Sequence, residues 1–185
     1  ISPGTNIKIK KGGSILVQGP LIINGKELEK VNIIASHGGG GITVLNSSEP
    51  SLIKHSIFEG LNSNSTHSTN VTGGVSFYNS SIKIYKSNFI NSFSEDSLNL
   101  VRSPFVIDNV AFYNSRSDAL DLDFSNGKIN NSSFENLGND AIDISGSEVF
   151  LNNIKVNSAT DKGISIGENS NVFANNIEIT DSFLG

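Results

Sequence analysis

Ala119-Leu-Asp-Leu122 and Ala141-Ile-Asp-Ile144 belong to a set of five short segments that repeat along the chain. The other three are Gly74-Val-Ser-Phe77, Ser97-Leu-Asn-Leu100 and Gly163-Ile-Ser-Ile166, so the segments begin at positions 74, 97, 119, 141 and 163. Within each segment the apolar residues alternate, which is the spacing of a β-strand with one buried face. A nearly constant period of this length indicates a solenoid, in which each unit buries its apolar face against the next.

Further apolar positions recur inside each repeat. In the repeat that begins at Ser97 they are Phe105, Ile107 and Phe112, and the neighbouring repeats keep mostly apolar residues at the same places. Three short strands per repeat of about 22 residues, without helical periodicity between them, predict the coil of a parallel β-helix. The fold class is therefore all-β.

A column of asparagines supports this fold. Asn109, Asn131 and Asn153 occupy the same place in their repeats, and Asn176 takes it in the last repeat, which is slightly longer. Asparagine tolerates the left-handed backbone conformation of turns. We therefore expect these side chains to stack at a bend and to hydrogen-bond from coil to coil.

The chain of 185 residues is predicted to form one β-helix domain, with N-terminal coils in 1–40 and regular coils in 41–185. Gly41-Ile-Thr-Val44 has the repeat pattern but precedes Gly74 by more than one repeat, and the polar segment 62–72 accounts for the excess as a projecting loop. The chain contains no methionine and ends soon after a predicted strand, without a polar cap. We therefore expect a piece of a longer protein, with coils open to end-to-end contact.

Composition excludes several classes of partner. A net charge of −5 with 13 basic residues argues against nucleic acid. No apolar run is long enough to span a membrane, so membrane insertion is not expected. The absence of cysteine excludes disulfides and thiolate metal sites.

Carboxylates concentrate at the outward positions of the first strand in three successive repeats. We call six of these residues the acidic strip: Asp96, Asp118, Asp121, Asp123, Asp140 and Asp143. Coils stack about 4.8 Å apart, so neighbouring carboxylates in the strip repel one another. This repulsion raises their pKa values unless a cation or a hydrogen-bond donor stabilises the charged form. A hard cation that prefers oxygen ligands fits this set, so we predict a candidate calcium site at Asp118, Asp121, Asp140 and Asp143.

A purely structural role is the alternative for part of the strip. Asp96, Asp118 and Asp140 directly precede a strand segment, where an aspartate side chain commonly caps a turn. Asp121 and Asp143 lie in mid-strand, where aspartate is disfavoured. A binding role explains the last two better.

Three motifs, Asp118-Ala-Leu-Asp121, Gly138-Asn-Asp-Ala-Ile-Asp-Ile144 and Asp161-Lys-Gly-Ile-Ser-Ile166, resemble the pectate-lyase-like superfamily of right-handed parallel β-helix proteins. They are most similar to β-helix segments of large secreted proteins that also carry spore-coat kinase-like (CotH) domains. The resemblance implies a right-handed helix, an extracellular or cell-surface location, and a polysaccharide or cell-surface component as partner.

Within that superfamily the polygalacturonases give the sharpest comparison. Asp118 and Asp140 match two of their active-site aspartates, whereas Lys162 stands in place of a histidine and one aspartate of a pair is Asn139. These differences from the polygalacturonase motifs disfavour glycoside hydrolysis, which needs an acidic and a basic carboxyl group that flank the glycosidic bond. A uronate lyase or epimerase, using calcium and a base such as Lys162, Arg102 or Arg116, agrees better. The candidate catalytic residues are Asp118, Asp140, Lys162 and Arg116.

The sequence thus predicts a surface β-helix solenoid with a structural or carbohydrate-binding role, its acidic strip binding calcium. The alternative is an enzyme that acts on acidic polysaccharides. An enzyme predicts a groove beside Asp121 and Asp143 that contains Lys162 and is walled by the loop 62–72. A structural solenoid predicts a flat, open strip.

Overall fold

The fold is a parallel β-solenoid. The computed structural model describes residues 1–36, 39–63 and 71–185. These residues form seventeen strands, and every pairing between two strands is parallel. Within the described ranges no helix is long and apolar enough to cross a membrane. The predicted all-β parallel β-helix is confirmed.

The strands follow one another along the chain as the solenoid winds. They are β1 (Asn6–Ile9), β2 (Ile15–Val17), β3 (Ile22–Asn24), β4 (Val31–Ala35), β5 (Ile42–Leu45), β6 (Ser51–Lys54), β7 (Ser56–Glu59), β8 (Gly73–Tyr78), β9 (Ile82–Ile90), β10 (Asp96–Val101), β11 (Phe105–Ser115), β12 (Asp118–Asp123), β13 (Gly127–Leu137), β14 (Ile142–Ser145), β15 (Glu148–Ala159), β16 (Ile164–Ile166) and β17 (Asn171–Thr180).

Two sheets run the length of the solenoid. The seven-stranded sheet has the order β16-β14-β12-β10-β8-β5-β2, and the ten-stranded sheet contains the remaining strands. The sequence repeat sets the register, because Leu98 pairs with Leu120 and Leu120 with Ile142. Ile42 pairs with Val75, so the coil between them is longer than the later ones. Its extra residues include the predicted loop 62–72, of which residues 64–70 lie outside the described part of the chain.

The second and third predicted strands of each regular coil form one bent strand, 9 to 12 residues long. The bend falls on a residue with positive φ in each coil: Lys86, Asn109, Asn131, Asn153 and Asn176. The amide of Asn153 donates to Asn131 Oδ1 at 2.9 Å, and Asn176 donates to Asn153. Asn131 donates to Asp108 Oδ1 rather than to Asn109. The predicted ladder is therefore confirmed from Asn131 onward.

The core consists of side-chain columns that stack from coil to coil. Four phenylalanine rings stack with centroids 4.8, 4.8 and 4.9 Å apart: Phe58, Phe89, Phe112 and Phe134. A buried serine column runs near the turn after the first strand. The Oγ atoms of Ser103, Ser125 and Ser147 each accept the backbone N–H of the serine one coil earlier, at 2.8–3.1 Å. Such columns satisfy buried polar groups only in one register, so they fix how the coils align.

Candidate functional site

The acidic strip lies on the outer face of the seven-stranded sheet. Asp96 pairs with Asp118, and Asn99 pairs with Asp121, which pairs in turn with Asp143. These pairings put the predicted carboxylates in adjacent columns, as the repeat requires. Asn99 and Ser76, which precede Asp121 in its column, are buried although they lie on the outward face.

Asp118 and Asp140 connect successive turns. Asp118 Oδ1 accepts the backbone N–H of Asp140 at 2.8 Å and the side-chain amide of Asn139 at 2.7 Å. Asp140 Oδ1 accepts the backbone N–H of Lys162 at 2.8 Å. Both side chains therefore hydrogen-bond to a turn, as predicted, but that turn belongs to the next coil. One oxygen of each carboxylate is therefore already engaged.

Lys162 forms ion pairs with two carboxylates. Its Nζ atom contacts Asp161 and lies 3.6 Å from Asp140 Oδ2. The hydrogen bond to Asp161, followed by the charge of Asp140, raises the pKa of the Lys162 amine. A lysine with a raised pKa keeps its proton at neutral pH and is poorly suited to act as a base. The catalytic role of Lys162 stays a prediction.

Two carboxyl groups in the middle of the strip have strongly perturbed acidity. Burial, together with the charges of neighbouring carboxylates, raises the pKa of Asp96 to about 7 and that of Asp121 to about 8. Asn99 Nδ2 donates to Asp121 Oδ2 at 2.7 Å. Burial also raises the pKa of the Tyr78 phenol, with Asp96 and Asp121 as the next contributors. Burial raises the pKa of Asp118 and of Asp123 as well, and Arg102 opposes the shift of Asp123.

The fit of calcium to the predicted four-aspartate site depends on free carboxylate oxygens. Across residues 1–36, 39–63 and 71–185, no three His, Cys, Asp or Glu side chains are grouped so that they could hold a metal ion. Calcium binding by Asp118, Asp121, Asp140 and Asp143 stays a prediction.

A cleft of about 730 Å³ crosses several coils at the turns that follow the ten-stranded sheet. Its lining includes a second column of positive-φ residues, Asn91, Asn114, Asn136 and Ser158, beside a half-exposed Phe93. The amide of Asn114 donates to Asn91 Oδ1 at 3.0 Å. The remaining lining residues are Ile34, Ala35, Glu59, Gly60, Ser92, Ser115, Arg116, Leu137, Gly138 and Thr160.

The four candidate catalytic residues divide between two places. Asp118, Asp140 and Lys162 follow one another along one edge of the strip and are joined by hydrogen bonds. Arg116 lines the cleft, where its Nη1 donates to the carbonyl of Phe93 at 3.4 Å. No residue of the acidic strip lines this cleft. This cleft is therefore not the groove beside Asp121 and Asp143 that the enzyme hypothesis predicts.

Sequence reasoning missed the cleft and the role of Asn99. A signal for the cleft was present, because Asn91, Asn114 and Asn136 recur with the period of the repeat. Phe93 occurs only once in that pattern, so no periodicity marks it.

No family model matches the chain, and no curated protein is significantly similar to it. The parallel β-solenoid is shown by the structure, and the resemblance to the pectate-lyase-like superfamily is supported at the level of this fold alone.

Proposed function

We propose that this β-solenoid binds a linear saccharide chain in the cleft lined by Phe93 and the Asn91–Asn114–Asn136 column. The proposal includes an extracellular or cell-surface location, where such a ligand is found. The observation that carries it is an exposed aromatic ring beside a column of amide side chains that crosses several coils.

The chemistry of the lining suits a sugar. Phe93 has 53% of its surface exposed, and an aromatic face offers an apolar platform for the C–H groups of a pyranose ring. Asparagine amides both donate and accept hydrogen bonds, as sugar hydroxyls do. Coils stack about 4.8 Å apart, so the column presents an amide at regular intervals along the direction that a linear polymer would follow.

Arg116 adds a preference for acidic sugars. Its bond to the backbone carbonyl of Phe93 holds the guanidinium next to that residue, and both side chains line the cleft. A guanidinium pairs with carboxylates through two parallel hydrogen bonds. A uronate-containing chain therefore fits the cleft better than a neutral one, although Glu59 in the lining limits the total positive charge.

Affinity electrophoresis in gels that contain soluble polysaccharides tests this proposal. We expect a uronate polymer to retard the protein, and Phe93→Ala to abolish the retardation. Phe173→Ala is the matched control, because Phe173 has 54% exposure and lies on the outer face of the ten-stranded sheet. Equal mobility of both variants in the presence of polymer, or no retardation by acidic or neutral polymers, would refute saccharide binding in this cleft.

Binding is proposed rather than catalysis for two reasons. Three of the candidate catalytic residues, Asp118, Asp140 and Lys162, engage one another through hydrogen bonds. The fourth, Arg116, lines the separate cleft. Arg116→Gln is expected to weaken retardation by uronate polymers while leaving retardation by neutral polymers unchanged.

A further inference from the structure

Two buried oxygen atoms in and beside the acidic strip accept no hydrogen bond. They are Asp96 Oδ2 and Asn99 Oδ1, and their residues are only 2% and 1% exposed. More than nine in ten buried polar groups have a partner, and a buried acceptor without one costs about 1–3 kcal/mol. Two such atoms on residues three positions apart in one strand suggest a shared missing partner.

Asp96 and Asn99 both adjoin Asp121 on the neighbouring coil. Asn99 pairs with Asp121 and donates its side-chain amide to it, and Asp96 pairs with Asp118 in the same two strands. Among the neighbouring charges, that of Asp96 contributes most to raising the pKa of Asp121. The two unpartnered oxygens therefore belong to residues that both lie near the Asp121 carboxyl group.

Asp121 completes the group. Its Oδ2 atom accepts from Asn99 Nδ2 at 2.7 Å, which turns the unpartnered Asn99 Oδ1 away from this bond. Burial raises the pKa of Asp96 and of Asp121. The three residues thus supply two carboxyl groups and one amide oxygen.

The described surroundings of these carboxyl groups supply no balancing positive charge. The charges of Asp118, Glu95 and Asp123 raise the pKa of Asp96, and those of Asp96, Asp123, Asp143 and Asp118 raise the pKa of Asp121. The charges of both carboxyl groups act on the Tyr78 phenol, and Thr72 forms a hydrogen bond with Asp96. The charge of Arg102 lowers the pKa of Asp123, and its guanidinium carbon lies over the Phe124 ring, 5.2 Å from the ring centroid. Within the described part of the chain, none of the influences on Asp96 or Asp121 comes from a basic residue.

We propose that Asp96, Asn99 and Asp121 form a binding site for a hard divalent cation, with calcium as the best fit. Calcium takes carboxylate and amide oxygens as ligands and completes its shell with water. The site uses Asn99 Oδ1 as one of three protein ligands, which agrees with the lack of any cluster of three acidic or histidine side chains in the described ranges. With so few protein oxygens we expect a dissociation constant of about 10⁻⁴–10⁻³ M.

This site differs from the one that the sequence predicted. Asp118 and Asp140 each commit an oxygen to a backbone N–H one coil further on. Asp121 is the residue that both sites share. Binding here does not depend on the saccharide cleft, so the two proposals can fail separately.

Terbium luminescence provides the sharpest test. The chain has three tyrosines and no tryptophan, and Tyr78 is the tyrosine whose phenol pKa is raised by the charges of Asp96 and Asp121. Terbium bound at this site should emit when tyrosine is excited, and calcium should displace it. Tyr78→Phe should abolish the emission, whereas Tyr113→Phe, on the ten-stranded sheet, should preserve it.

Thermal melting gives an independent readout. Calcium at about 10 mM, roughly ten to a hundred times the expected dissociation constant, should raise Tm by about 3–11 °C over a chelating buffer. Asp121→Asn should lose this shift, and Asp143→Asn, one coil further along the same column, should retain it. Tyr78→Phe should also retain it, because the phenol reports on the site without being a proposed ligand.

Two results would overturn the proposal. One is a calcium shift that survives in both Asp121→Asn and Asp96→Asn, because the cation would then bind elsewhere. The other is the absence of any shift with calcium or magnesium, together with no tyrosine-sensitised terbium emission. A proton shared by the carboxyl groups would then be the missing partner.

Discussion

Asp118 Oδ1 accepts the backbone N–H of Asp140, which lies one coil further along the solenoid, at 2.8 Å. The same oxygen accepts the Asn139 amide. A single carboxylate oxygen therefore satisfies two donors of the following turn. This role needs an oxygen acceptor but no negative charge.

Substitution of Asp118 separates the two properties. Asp118→Asn keeps an acceptor at this place and should change the free energy of unfolding by about 0.5 kcal/mol or less. Asp118→Ala leaves two donors without their partner and should cost about 1–3 kcal/mol. Urea denaturation of both variants measures the difference. Equal, large losses in both would mean that the charge of Asp118 matters, as a catalytic or metal-binding role requires.

Stability should fall as pH rises through the neutral range in a chelating buffer. The unfolded chain releases its aspartate protons near pH ~3.9, whereas folded Asp96 and Asp121 hold theirs to about 7 and about 8. The folded state therefore binds more protons between these limits, so the contribution of these groups is complete below about pH 4 and is lost as pH rises to about 8.

The pH dependence can be assigned by mutation. Asp121→Asn removes one titrating group with a raised pKa, so Tm should depend less on pH between 5 and 8 than in the unmodified protein. Melting by circular dichroism at several pH values provides the measurement. An unchanged slope in this variant would show that other groups carry the pH dependence.

The buried phenylalanine column should dominate the stability of the middle coils. Phe112 is 1% exposed and stacks on Phe89 and on Phe134, so Phe112→Ala should cost about 3–5 kcal/mol. Phe173 also stacks on a ring, that of Phe150, but is half exposed. Phe173→Ala should therefore cost about 1 kcal/mol or less. Similar losses would contradict the division into core and surface columns.

The bend in each long strand depends on both backbone and side chain. Asn153 has φ of 62° and bonds to Asn131 on one side and Asn176 on the other. Asn153→Gly loses the ladder but accepts positive φ, whereas Asn153→Ala loses the ladder and is also strained by about 1–2 kcal/mol. The urea midpoint should fall in the order unmodified, Gly, Ala. A glycine variant that is less stable than the alanine variant would place the main contribution elsewhere.

The fold was predictable because stacking turns a period in sequence into columns in space. The alternating apolar positions, the constant register and the asparagine bend each appear once per coil, so four or five copies reinforce each signal. The predicted partner of Asn131 was wrong for the same reason. The repeat pairs each asparagine of the column with the asparagine one coil earlier, which for Asn131 is Asn109. In the structure the acceptor is instead Asp108, the neighbour of Asn109.

The candidate site was less predictable because it depends on residues and hydrogen bonds that do not recur in every repeat. Repetition places Asp118, Asp121, Asp140 and Asp143 correctly, but it does not show which oxygens are already occupied by N–H groups one coil away. Asn99 precedes Asp121 in its column and carries the unpartnered oxygen. Phe93 and Arg116, which define the cleft, occur once each in their columns, so their importance emerges only from the shape of the surface.

The serine column has a consequence for how this chain can change over generations. Ser103, Ser125 and Ser147 each receive a bond from the coil before and pass an equivalent one to the coil after, where Ser170 closes the series. A segment that makes up one coil therefore carries matching contacts on both of its faces. Duplication or loss of the coding sequence for one coil would lengthen or shorten the molecule without leaving a mismatched junction, so its length is a trait that recombination can alter in whole steps.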